Sequence, residues 1–390
     1  MTVKSVCPAC AGTALTEIYR LDGIPVQSCI LLDSEEEALA FQRHDMVLTV
    51  CADCGLLFNR VFELENVDYA STTEESQHFS GTFNRFATDL VAEIASTVDL
   101  AGKRTLEVGC GKGDFLQEMV RQTGTEGIAV DPGFIPERLG VNGHAIEVRR
   151  EYFDPDRITV PVDYLVCRHT LEHIPDVDAF MSDIASVATR KDGVGIFFET
   201  PDVRRVLAEG AFWDIYYEHC SYFTLGSHAR AFRRNGLDVT RLYLAYDDQY
   251  IIQYADVGQG GTPLPEEDDL DDVLALAAAF PARVAEIRNY WRDFVVERHA
   301  AGKRVATWGS GSKGVSFLTS NGLGEEVAQT VDVNPFKQGK YLPVTGHCVV
   351  APEALVEAPP DTVIVMNPIY LKEIGAQLAD LGLNPELVAV

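Results

Sequence analysis

Residues 105–116 read T-L-E-V-G-C-G-K-G-D-F-L: a short apolar run at Leu106 and Val108, a break at Gly109, Gly111 and Gly113, then a helical pattern opening at Asp114-Phe115-Leu116. Apolar run, glycine-rich break and amphipathic start are the written form of a strand, a tight turn and a helix. Glycines suit a turn whose backbone a ligand must approach closely, because a Cβ would stand in the way. Glu107 lies inside the strand, just before the turn. Dinucleotide folds instead use G-x-G-x-x-G and place their first useful acid about twenty residues further on.

The run Gly127-Ile-Ala-Val-Asp131-Pro132 reads as the next strand, with Asp131 where such folds hydrogen-bond a ribose; a helix N-cap is the plainer reading of that acid. The acid-before-the-turn pattern E-V-G-C-G-K-G resembles the first motif of class I S-adenosylmethionine-dependent methyltransferases. That resemblance implies a cofactor held by Glu107, Gly109, Gly111, Gly113, Asp131 and Pro132. Tyr152 or Phe153, in R-E-Y-F-D-P, is expected beside the adenine. The segment 163–176 reads as a strand followed by L-E-H-I-P-D and resembles the fourth-strand motif of the same class. His169 is expected to face the cofactor from the strand's carboxyl end, and His173 the substrate; core or capping histidines are the alternative.

The chain of 390 residues has room for two or three domains, and its alternating strand and helix patterns indicate α/β architecture. A net charge of -27 repels nucleic-acid backbones and anionic membranes, so neither is an expected partner. No apolar run is long enough to span a bilayer and the first residues lack the build of a signal peptide, so a cytoplasmic protein is expected. Nine cysteines in such a chain do not suggest a disulfide framework. Four of them form two C-x-x-C pairs, Cys7 with Cys10 and Cys51 with Cys54, the spacing of a closed tetrahedral zinc site. Four unligated buried cysteines, or redox pairs, are the alternatives.

Three units follow: a zinc-binding module over 1–66, a cofactor-binding core over 67–258, and a small Rossmann-like α/β unit over 259–390. Tyr69 and His78, with Gln77, lie on a segment expected to cross the cofactor mouth before a helix over 83–97; loop packing is their alternative role. The segment 212–224, F-W-D-I-Y-Y-E-H-C-S-Y-F-T, crowds Tyr216, Glu218, His219 and Tyr222 together. A histidine beside a carboxylate that could orient it suits general-base work. A glycine-rich linker around 257–269 leads to a helix expected after Pro281, then to R-V-A-T-W-G-S-G-S-K-G and further strands at 329–333, 362–366 and 387–390. The turn G-S-G-S-K-G has neither dinucleotide nor Walker spacing. Lys313, Lys337 and Lys340 sit near these loops and could hold a substrate's phosphates; solvated surface lysines are the alternative.

The order of all these parts resembles the three-domain sugar C-methyltransferases that act on nucleotide-linked keto-deoxysugars. The resemblance spans essentially the whole chain. It implies zinc in the first unit, S-adenosylmethionine in the second, and the nucleotide part of a small-molecule substrate between the second and third. The family's E-H pair falls on Glu218 and His219 and its tyrosine on Tyr216; Tyr217 stands where the family often has histidine, and is counted with the catalytic group. Carbon methylation next to a ketone then needs His219 as base, Glu218 to orient it, and Tyr216 or His173 to donate to an enolate oxygen. Tyr222 joins Tyr69, His78 and the three lysines as an expected substrate contact. The rivals are an O- or N-methyltransferase on another small molecule, and a non-catalytic zinc-ribbon scaffold with a vestigial cofactor fold.

Overall fold

The computed structural model describes residues 3–70, 73–140, 145–258 and 261–390. Part of the expected linker, at 259–260, lies outside the described residues.

The central sheet has seven strands in the spatial order Leu237–Ala245, Tyr250–Val257, Gly195–Pro201, Tyr164–Arg168, Arg104–Val108, Glu126–Val130, Ile146–Arg149. The last five run parallel, and Tyr250–Val257 joins them antiparallel between Gly195–Pro201 and Leu237–Ala245. Chain order reverses at Arg104–Val108, which pairs with both Glu126–Val130 and Tyr164–Arg168. Open parallel sheets hold ligands outside the carboxyl ends of the strands at such a reversal. The central parallel strands Arg104–Val108 and Tyr164–Arg168 are buried along nearly their full length, as helices on both faces require, while the edge strand Ile146–Arg149 is not. One covering helix, Gly81–Thr97, is capped by Ser80, whose hydroxyl accepts from the Thr82 and Phe83 amides. Its Phe83, Ala87, Leu90, Val91 and Ile94 recur at helical spacing and are buried.

The carboxyl-terminal sheet repeats the logic in miniature. Its five strands are all parallel, in the order Val349–Val350, Gln329–Val331, Val305–Trp308, Thr362–Val365, Glu386–Ala389. It too reverses at its first strand in chain order, Val305–Trp308, which the glycine turn follows.

The amino-terminal sheet is antiparallel: Leu15–Pro25, Arg43–Cys51, Leu57–Asn59, and then Ser221–Tyr222 from the histidine-bearing segment. Leu57 pairs with Tyr222 and Phe58 with Ser221. The first module is therefore completed by two residues far downstream. One hydrophobic cluster runs from Ile18 and Leu48 through Phe212 and Ile215 to Phe280 and Phe317, joining the three parts.

The helix expected after Pro281 starts earlier and spans Leu270–Ala300. The expected linker ends at the helix's N-cap, Asp269, and Asp271 and Asp272 just beyond stand in its first turn, where negative charge is favoured by the helix dipole. Pro281 lies inside the helix, which is held by Val273, Ala277, Phe280, Val284, Trp291 and Val295 on its buried face. No helix of the described residues is long and apolar enough to cross a membrane.

Candidate active site

The two sheet reversals open onto one cavity of about 660 Å³. Its walls carry Glu107, Gly109 and Asp131 from one side and Trp308, Gly309 and Lys313 from the other.

On the first side, Gly109 and Gly111 hold φ of 70° and 53°. A Cβ on Gly109 would fall 1.9 Å from Thr170 Oγ1, so no larger residue fits. Gly113, φ 79°, does not line the cavity but caps the helix Asp114–Thr123. Asp131 caps no helix among the described residues: its carboxylate accepts from the Gly111 amide at 2.9 Å and the Gly133 amide at 2.7 Å. Burial lifts Asp131 to about 6 and Glu107 to about 8. Glu107 Oε2 is buried without a hydrogen-bond partner among the described residues. An acceptor aimed at a glycine cradle fits a ligand that brings donors, as the amino and hydroxyl groups of S-adenosylmethionine do. Pro132, Tyr152 and Phe153 line the same part, with Tyr152 exposed and Phe153 packed on Phe180.

His169 also faces the cavity, held at φ 48° with Nε2 2.8 Å from Glu199 Oε1 and its ring 4.6 Å from that of Tyr250. Burial, the largest single effect, opposes its charge, but the Glu199 and Glu172 carboxylates together outweigh it and lift His169 to about 9. Arg168 completes this network at 2.6 Å from Glu199.

The segment 212–224 is folded by its own side chains. The Tyr222 hydroxyl accepts from the Tyr216 amide at 3.1 Å and donates to the Tyr216 carbonyl at 3.0 Å, pinching the loop shut. Ser221 Oγ donates to the Ile174 carbonyl at 3.0 Å. This fold presents Tyr216, Glu218 and His219 to the cavity. The His219 ring centroid is 4.2 Å from that of Tyr216 and 4.7 Å from that of His173. Burial, reinforced by nearby His173 and His169, holds His219 well below its usual range, so the imidazole is uncharged. His173 Nδ1 lies 3.0 Å from the Glu218 carbonyl oxygen, to which the Tyr69 hydroxyl also donates at 3.3 Å.

Three expectations need correction here. Glu218 does not orient His219: its carboxylate accepts from the Ser28 amide at 2.9 Å and from the Ser28 hydroxyl, which itself lies 2.7 Å from Ser312 Oγ. Glu218 sits in the turn at 217–218 and reaches Ser28 rather than the neighbouring imidazole, so it ties the three parts together instead. Tyr217 is fully buried away from the cavity; its hydroxyl accepts from the Glu63 amide at 3.1 Å and its ring packs on Phe62. Lys340 stands outside the cavity and pairs with Asp33. Lys313 and Lys337 do line it, paired with Asp214 at 2.9 Å and Asp332 at 3.7 Å. His78 lines it with Nδ1 on Asn84 Oδ1 at 2.8 Å. Sequence reading gave no role to Ser28, Glu172, Glu199 or Tyr250; Glu172, inside the quoted L-E-H-I-P-D, had the most visible signal.

Away from the cavity, the four cysteines converge. The Sγ atoms of Cys7 and Cys54 are 3.6 Å apart and those of Cys10 and Cys51 3.7 Å. A tetrahedron with 2.3 Å metal–sulfur bonds has edges of about 3.8 Å. Amides of Ala11 and Gly55 donate to the Cys7 and Cys51 carbonyls, each at 2.9 Å, closing two equivalent knuckles.

A methyltransferase domain model matches residues 78–242, and a C-methyltransferase C-terminal domain model matches residues 265–384. The C-methyltransferase NovU of Streptomyces niveus is 27% identical over 404 residues, covering 94% of this chain and 90% of its own. A ubiquinone biosynthesis O-methyltransferase of Pseudoalteromonas translucida (strain TAC 125) is 30% identical over 158 residues, 35% of this chain and 64% of that one. Among solved structures, magnesium protoporphyrin IX methyltransferase from Synechocystis PCC 6803 with bound SAH is 13% identical, with TM-score 0.36 over 48% of this chain and 90% of that chain. Sheet order, glycine cradle and domain match define a class I S-adenosylmethionine-dependent methyltransferase. Within that class, the chain joins a methyltransferase core to a C-methyltransferase C-terminal domain, the combination that supports S-adenosylmethionine-dependent C-methylation.

Proposed function

We propose that the protein methylates a carbon next to the ketone of a nucleotide-linked deoxysugar. The observation that carries this reading is His219: an uncharged imidazole in the cavity wall, with the Tyr216 and His173 rings against it. A C–H carbon is not nucleophilic until a base removes its proton. His219 takes that proton, and the electron pair moves onto the ketone oxygen. Tyr216, kept protonated because burial pushes its hydroxyl well up, donates to that oxygen; the His173 imidazole keeps its Nδ1 proton on the Glu218 carbonyl and has none to give there. S-adenosylmethionine, when bound, supplies a methyl group already activated as a sulfonium. Glu107, Gly109, Gly111 and Asp131 hold it, with Pro132, Tyr152 or Phe153 and His169 around them. Tyr69, His78 and Tyr222 shape the sugar end. Lys313 and Lys337, beside the second glycine turn, meet the phosphates.

The units are read as 1–66, 67–258 and 259–390, the first holding one zinc ion on Cys7, Cys10, Cys51 and Cys54. The sulfur spacing and the all-thiolate donor set support a closed structural site.

The test is proton–deuteron exchange at the substrate carbon in deuterated buffer without cofactor. Exchange with wild type is expected. Its absence, with methylation of a heteroatom instead, would favour the O- or N-methyltransferase reading. A second expected outcome concerns the cradle: Gly109→Ala places a Cβ against Thr170 in a left-handed backbone and should weaken S-adenosylmethionine binding at least about 100-fold by calorimetry. Unchanged affinity would move the cofactor elsewhere.

A further inference from the structure

One group in the cavity wall is left unexplained by proton abstraction. Glu172 is 2% exposed, and neither carboxylate oxygen has a hydrogen-bond partner among the described residues. His169 Nδ1 stands 3.6 Å from its Oε1, an ion pair longer than a hydrogen bond. A buried carboxylate with one ion-pair neighbour and no hydrogen-bond donor is only partly compensated, so a cation that coordinates it directly is favoured. Glu172, His173 and His219 each present one ligand atom, and the three atoms all lie within 4.8 Å of one another. The His173 tautomer suits ligation. Its Nδ1 faces a carbonyl oxygen, which only accepts, so Nδ1 carries the proton and Nε2 the lone pair. A backbone carbonyl behind a ligating imidazole is the usual outer shell of a metal-bound histidine. All three residues line the cavity, which leaves further coordination positions open.

We propose that Glu172, His173 and His219 bind one borderline divalent cation of the Zn²⁺ or Co²⁺ type in the substrate-free cavity, separately from the four-cysteine cluster. Two imidazoles and one carboxylate are a donor set for such ions, whereas Mg²⁺ and Ca²⁺ want oxygen ligands throughout. Tetrahedral bonds of 2.0–2.1 Å need ligand atoms about 3.4 Å apart, a contraction that side-chain rotation can supply. A functional consequence rests on the base role of His219. The lone pair that binds the cation is the one that takes the substrate proton, so the cation inhibits turnover and competes with substrate.

The test uses the full chain with zinc already on its four cysteines. Cobalt chloride is titrated in, followed by calorimetry and visible absorption, for wild type, Glu172→Gln and His173→Asn. Wild type should bind one cobalt with weak ligand-field bands and no thiolate charge transfer. Each variant should bind it at least about 100-fold more weakly. If Glu172→Gln fails to fold, His173→Asn carries the same comparison. No cobalt bound by wild type, cobalt appearing only on thiolates, or affinity unchanged in a folded variant would each overturn the site. If cobalt binds as expected and turnover continues at saturation, the cation site stands and the base role of His219 falls.

Discussion

Replacing His219 by Asn should lower kcat by about a thousandfold and leave the S-adenosylmethionine dissociation constant within about twofold of wild type. General-base contributions of about 10²–10⁴-fold set that scale. The split between the two readouts follows from the architecture. The glycine cradle and Asp131 belong to the Arg104–Val108 reversal, while His219 belongs to a loop closed by Tyr222 and anchored on the amino-terminal sheet. Asparagine keeps a polar side chain of smaller size, so the loop's backbone bonds survive. Deuteron exchange at the substrate carbon should vanish in the same variant. Methylation at an undiminished rate would strip His219 of the base role, and loss of cofactor binding alongside turnover would mean that the substitution had collapsed the cavity.

Metal removal from the four-cysteine cluster should have the largest structural effect. On the proposed reading the ion orders the two cysteine knuckles, and structural zinc contributes folding free energy directly. Chelation, or Cys54→Ser, is expected to lower the midpoint of thermal unfolding by at least about 10 °C. Activity should be lost as well, because the strand pair Leu57–Tyr222 and Phe58–Ser221 hands any disorder of the module to the loop carrying His219. Calorimetric unfolding scans with and without chelator check this, alongside metal content by mass spectrometry. A metal-free protein with an unshifted midpoint would show that the thiols need no ion.

The parts of this molecule legible in its sequence are those encoded by neighbours along the chain. A glycine turn after a buried strand constrains its own backbone, so 105–116 announced both the strand and the cradle, and the two C-x-x-C knuckles announced their cluster. Roles set by distant partners were not legible. Ser28 and Glu218 are separated by 190 positions, and nothing local in Q-S-C-I-L marks the serine as holding that carboxylate. The adjacency of Glu218 and His219 suggests a pair, but the turn at 217–218 sends the carboxylate to Ser28, a partner that local sequence does not reveal. Tyr217 was placed by analogy of position, whereas its hydroxyl was claimed by the Glu63 amide. Lys340 shared a loop with Lys337, yet only Lys337 turns inward, toward Asp332. The apolar spacing at Val284, Ile287, Trp291 and Phe294-Val295 marks a helix only after Pro281; burial of Val273, Ala277 and Phe280 on the same face carries the helix through the proline.

The four-stranded sheet that borrows Ser221–Tyr222 bears on any attempt to redirect this scaffold to new acceptors. A chimaera that transplants only the central unit from a relative would import a reactive loop cut to fit a different clamp. The strands Leu15–Pro25, Arg43–Cys51 and Leu57–Asn59 and the 212–224 segment form one cassette, noncontiguous in sequence and contiguous in space, and would have to travel together.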